Sequence, residues 1–425
     1  MNRIRAIGLW ITALAIIMTL LVSRGSLNLS PSGELAKSEL YSILGWEMEN
    51  FSAKWIHKIR TSGYSNSPTL DQNYSTIIEY LSLTNRLFYL ESQLENLESD
   101  DNRKNNYNKT AATLIQDIES TRVSIISIRD KVEEFLESKI SAEIQNHEIG
   151  YSGPMGLHFP PVDFRLTYSP KVLVISARNR IDMTEAILIR DDIKENDIIF
   201  IENAIKGTYK LSPYIANTGG LATYPSTISH RSSVYNIIDT AAHEWLHHYL
   251  FFKPLGQSYW STNTMRSINE TTANIFGKEI SDAVYATMQS DGWKDIPNEY
   301  QNISSAPKNE PFDFRKEMQI TRLEAENLLS DGHIEKAEEY MEDRRQYFIS
   351  NGYYLRVLNQ AYFAFHGTYA DSPSSISPIY SQLMTIRHAS SSLTEFINKV
   401  SSISNHEDFL RVVDKSKAAD NKLIR

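Results

Sequence analysis

The sequence predicts a mostly helical α+β chain, and three observations point there. Apolar residues recur at helical spacing over long stretches of both ends. A block of short β-branched runs lies between Val162 and Ala204, and Gly, Pro and Ser clusters separate the two kinds of segment. The expected organisation is an N-terminal transmembrane anchor (1–25), a helical region with a long hairpin (26–150), a metal-binding core with a small, mostly antiparallel sheet (151–300), and a C-terminal helical subdomain that completes a cleft (301–425).

The anchor is read from residues 4–22, where Arg5 is the only charge. The apolar run of roughly 16–19 residues is near the lower limit for crossing a bilayer. Arg3 and Arg5 at its start place the N-terminus in the cytoplasm by the positive-inside bias, so the chain is expected to be single-pass in the cell membrane with its remainder extracytoplasmic. A signal peptide has a similar plan, but Leu20 to Gly25 lacks a small-x-small cleavage site, which favours an uncleaved anchor.

After the anchor, residues 35–59 carry an amphipathic pattern that a Ser-rich stretch at 61–68 breaks. Residues 74–97 and 113–140 read as two long helices around a polar loop, a helical hairpin with no ligand-like cluster. Pro154, Gly156, Pro160 and Pro161 mark a transition. Strands are expected at 162–166, 171–175 and 186–189, and 198–204 suits a short strand or a helix. Helices follow at 237–252, 265–288, 315–329, 333–348 and 380–400, with a charged tail after Asn405 expected to fray.

With no cysteine, thiol catalysis, disulfides and Cys-based metal sites are excluded. The net charge of −9 and the lack of a basic block argue against a nucleic-acid partner.

The chemistry concentrates in His243-Glu244-Trp245-Leu246-His247. On a helix, positions four apart share a face, so His243 and His247 can offer nitrogens to one ion. Glu244 is free to act on water as a general base. Zn2+ suits this donor set, because it takes imidazole and carboxylate and leaves a position open in catalytic sites. His248 points about a quarter-turn away and is a poor third ligand. Glu270 is better: it follows His247 by enough chain for a loop (Lys253-Pro254-Leu255-Gly256) and a second helix. Asn274, four residues on, shares its face and is expected to hold the ring N–H of a ligating histidine. Asp239, four before His243, either supports the site or caps the helix, and Gly277 implies close helix packing.

These residues, with Asn269-Glu270-x-x-Ala273-Asn274, resemble the gluzincin metallopeptidases of the thermolysin and aminopeptidase type, within what looks like a family of membrane-anchored bacterial proteins. The resemblance covers about 40 residues and departs from the thermolysin-like pattern at Asn274, where Asp is common. It implies a gluzincin-like catalytic core in which His243, His247 and Glu270 bind zinc and Glu244 activates water. It also implies an edge strand beside the metal that pairs with an extended substrate, for which Thr218 to Pro225 is the candidate. A downstream Tyr or His should answer the oxyanion, and Tyr362, His366 and Tyr369 are the candidates. Arg356 either binds a substrate carboxylate or pairs with a structural acid. The expected function is a membrane-anchored extracytoplasmic zinc metallopeptidase acting on a peptide or protein substrate. The alternative is an inactive envelope scaffold or partner-binding protein that keeps its zinc site, and replacing Glu244 separates the two.

Overall fold

Two helices form the expected hairpin. The computed structural model describes residues 29–50, 54, 68–99, 107–152, 158–294 and 312–423. Within it α1 (Leu70–Ser99) and α2 (Tyr107–Asn146) pack along one another. Tyr74, Ile77, Leu87 and Leu90 of α1 meet Ile118, Ile125, Val132, Leu136 and Ile140 of α2 in one core. The seven-residue steps from Ile118 through Ile125 to Val132 line up the buried residues of α2 on one seam.

That patterning bears on the membrane expectation. The anchor expected at 4–22 lies outside the described residues, and among those residues no helix is long and apolar enough to cross a membrane. Even α2, 40 residues long, carries charged residues along its whole length. The fold class is corrected to a mostly helical α+β body with small sheets. The membrane partner, the single-pass topology and the extracytoplasmic placement drawn from the anchor are withdrawn with it.

The middle of the chain forms β1 (Tyr151–Ser152), β2 (His158–Phe159), β3 (Phe164–Thr167), β4 (Lys171–Ala177), β5 (Met183–Ile189), α3 (Glu195–Tyr209), β6 (Leu211–Asn217), β7 (Gly220–Leu221) and β8 (Ser226–Ser229). One sheet has the order β5-β4-β6, with both pairings antiparallel. Alternation sorts its faces. Leu173 and Ile175 pack with Ile198, Ile201 and Ile205 of α3, whereas Val172 and Val174 join Ala216 and Ala361 on the other side. A second sheet has the order β3-β8-β7 and contains one parallel pair, β3 with β8. Residues 198–204 are helical, inside α3. Pro213 hides β6 in the sequence, and a proline is tolerated there because β6 is an edge strand.

The remaining helices are α4 (Val234–Leu250), α5 (Pro254–Gln257), α6 (Asn263–Ser290), α7 (Phe314–Ser330), α8 (Ile334–Ser350), α9 (Gln360–His366), α10 (Ile379–His388), α11 (Leu393–Ser401) and α12 (His406–Leu423). The single helix expected at 380–400 breaks in the Ser390-Ser391-Ser392 run, where the Ser392 hydroxyl accepts from Glu395 N at 3.1 Å and caps α11. The tail expected to fray is instead α12, held by buried Phe409 and Val413.

Candidate metal centre

Helices α4 and α6 cross beside the cleft. Ser233 caps α4 by accepting from Asn236 N at 3.2 Å, and Thr262 caps α6 by accepting from Met265 N at 3.1 Å. At the crossing, a Cβ on Gly277 would stand 2.6 Å from Asp239 Oδ1 and 2.8 Å from Asp239 O, so only glycine allows this approach. Trp245 stacks on Phe276 across the same interface and donates to Pro160 O at 2.7 Å. This packing fixes the rotation of α4, which turns His243, Glu244 and His247 into a cleft of about 850 Å³.

Ligand atoms of His243, Glu244 and His247 lie within 4.8 Å of one another, a geometry consistent with a metal site. The two Nε2 atoms face each other at 3.0 Å. Glu270 Oε2, from α6, stands 3.3 Å from His243 Nε2 and 3.5 Å from His247 Nε2, closing a triangle. All four side chains are buried or nearly so. Burial opposes the charge on Glu270, but the two histidines overcome it and hold the carboxyl well below its usual range. Burial lowers His243, yet the Glu270 hydrogen bond and the charges of Glu244, Glu270 and Asp239 win and raise it to about 9. Burial dominates at Glu244 and raises its carboxyl, with the histidines pulling the other way.

Other predicted residues are sorted by the tertiary structure. Tyr369 lines the cleft with its ring 6.4 Å from that of His243, and its phenol is raised well above its ordinary value by the Glu270 charge, then burial. His366 also lines the cleft, with a buried Nε2 that has no hydrogen-bond partner, and burial lowers it to about 4. Tyr362 does not line the cleft; it packs on Tyr214 and Phe363. Asn274 lines the cleft, and its amide nitrogen donates to Asp371 Oδ1 at 2.9 Å. Asp239 lies beside His243, and burial raises its carboxyl. His248 turns away toward the backbone of Ala222 and Thr223, and burial drops it to about 4. Arg356 grips Glu202 through two bonds of 2.6 and 2.8 Å, which is the structural pairing.

One site residue, Tyr259, carried no sequence signal, and another, Gly220, lies in the segment expected to border the metal. Tyr259 donates to Glu270 Oε1 and is itself largely buried, leaving Oε2 to the histidines. Gly220, in the edge strand β7, lies so close to the site that a Cβ there would stand 2.7 Å from Glu244 Oε1. Each is a long-range contact from an irregular or two-residue element, where periodicity is silent.

No family model matches the chain, and neither a curated protein nor a solved structure does. The assignment to a membrane-anchored gluzincin family is therefore corrected to the His243, Glu244 and His247 cluster itself, since no membrane-crossing helix occurs among the described residues.

Proposed function

We propose that this protein is a zinc-dependent hydrolase of peptide bonds, with His243, His247 and Glu270 as ligands and Glu244 as the general base. The observation that carries the reading is the triangle of ligand atoms at 3.0, 3.3 and 3.5 Å. Donors placed tetrahedrally about 2.0–2.1 Å from zinc stand about 3.3–3.4 Å apart. The three atoms thus match one face of such a tetrahedron. The N, N, O donor set suits zinc.

When bound, zinc supplies Lewis-acid polarisation of the scissile carbonyl and acidifies water. Glu244 takes a proton from the attacking water and passes it to the leaving nitrogen; its upward shift brings it nearer a neutral working pH. Tyr369 keeps its phenolic proton and serves as donor to the developing oxyanion. Tyr259 fixes the Glu270 carboxylate, and the Asp239 charge supports the basicity of His243. The free edge of β7 offers backbone groups to an extended substrate.

Glu244→Gln tests the reading. The variant should keep one zinc per chain and lose roughly 10²–10⁴-fold in turnover of a peptide library. Equal cleavage by wild type and variant, or a wild-type protein without stoichiometric zinc, overturns it.

A further inference from the structure

Arg266 is the only Lys or Arg among the described residues that line the cleft. Its Nε is buried and, among the described residues, has no hydrogen-bond partner and no carboxylate in an ion pair with it. Other half-buried arginines behave differently: Arg178 pairs with Glu338, Arg344 with Glu317, Arg356 with Glu202 and Arg387 with Glu279. What holds Arg266 is aromatic: its guanidinium carbon lies 4.8 Å from the Trp260 ring centroid and 5.7 Å from that of Tyr259. Stacking fixes the plane of the guanidinium and leaves donors unspent, in a form that matches a carboxylate bidentately.

Its position is as telling as its lack of an acid. Arg266 precedes Glu270 by four residues on α6, so both sit on one face about 6 Å apart along the axis. In a peptide, the terminal carboxylate carbon is separated from the last scissile carbonyl carbon by only a nitrogen and an α-carbon, about 3–4 Å. Adding the reach from carbonyl to metal gives a span comparable to that one turn. Apolar side chains also line the cleft, among them Leu221, Phe251 and Phe252.

We propose that Arg266 receives the free C-terminal carboxylate of the substrate, so that the cleft removes a terminal residue as a carboxypeptidase. The inference rests on the metal-hydrolase reading above. Water's oxygen bonds to the last amide carbonyl carbon, the C–N bond breaks, and the nitrogen leaves as the amine of a free amino acid carrying the proton that Glu244 transferred. Arg266 takes no proton; it orients the terminal residue and selects for it.

The test uses zinc-loaded Glu244→Gln protein, in which binding is read without turnover, and an N-acetylated tripeptide as free acid and as C-terminal amide. Calorimetry should show the acid binding at least tenfold more tightly. Arg266→Ala should abolish the difference and Arg266→Lys should keep part of it, both with zinc retained. In otherwise wild-type enzyme, Arg266→Ala should raise KM for the acid peptide with little change in kcat. An amidated peptide ending in Asp tests a side-chain carboxylate as the source. Equal binding of acid and amide, no binding of either, a preference that survives Arg266→Ala, or tight binding of the amidated Asp peptide overturns the proposal. If Arg266→Ala does not fold, the acid and amide comparison on the unaltered arginine still decides. A clear acid preference in a protein that cleaves nothing keeps the carboxylate site and removes the hydrolase reading alone.

Discussion

Gly220→Ala should slow hydrolysis while leaving zinc in place. The added Cβ would stand 2.7 Å from Glu244 Oε1, 2.7 Å from Thr240 Cγ2 and 3.0 Å from Thr227 O. Ordinary contact begins near 3.4 Å, so about 0.7 Å (3.4 − 2.7) must be found. Thr227 O is backbone of the neighbouring strand β8 and Thr240 lies on α4, so neither yields easily. The carboxylate of Glu244 is a side-chain terminus and gives way. A general base misplaced by about 1 Å costs on the order of 100-fold, so kcat/KM should fall roughly 10- to 100-fold. Overpacking should cost about 1–3 kcal/mol of stability as well. Gly219→Ala is the control, because a Cβ there meets nothing within 4 Å. The assay is kcat/KM on a peptide that the wild type cleaves, alongside metal content and a thermal melt. Wild-type kcat/KM in a folded, zinc-loaded Gly220→Ala protein would refute the placement of Glu244 as the base held against β7.

Tyr259→Phe should weaken zinc roughly 10- to 100-fold in a chelator competition, since it frees Glu270 Oε1 from its hydrogen bond. Zinc affinity should fall about tenfold per pH unit as pH drops below about 9, because the metal must displace the proton that the neighbouring acids hold on His243. The same upward shift stabilises the metal-free fold fully below pH 6.5 and is lost as pH rises through about 9, so chelator-treated protein should melt lower at pH 9.5 than that contribution would allow at pH 6.5. Tyr369→Phe should reduce kcat by on the order of 10²-fold with zinc retained, whereas Tyr362→Phe, away from the cleft, should change kcat little. Arg356→Ala should cost about 2–3 kcal/mol in a denaturant melt by stranding the largely buried Glu202, and should leave any acid-over-amide preference intact.

Local pattern carried much of the design. The apolar seams of α1 and α2, the spacing of His243 and His247, and the β-branched runs of β4 and β5 all depend on periodicity that neighbouring residues set. Where the chain departs from such rules the reading failed for definite reasons. β6 holds a proline that an edge strand tolerates, and the Ser390 to Ser392 run divides one expected helix into α10 and α11 by capping the second. Asn274 sits on the expected helix face, and its amide nitrogen donates to Asp371, 97 residues away, a contact that no local pattern records.

The sequence by itself determined the helices, the pair of imidazoles on one face and the acid beside them, because helical geometry converts spacing directly into direction. Only the tertiary structure decided that Glu270 closes a triangle with them, that Tyr259 holds its second oxygen, that Gly220 abuts Glu244, and that Tyr369 rather than Tyr362 lines the cleft. Those relations depend on how α4 crosses α6 at Gly277 and where β7 and the loop before α6 come to rest. Packing of surfaces distant in the chain sets them, and spacing along the chain carries no information about that packing.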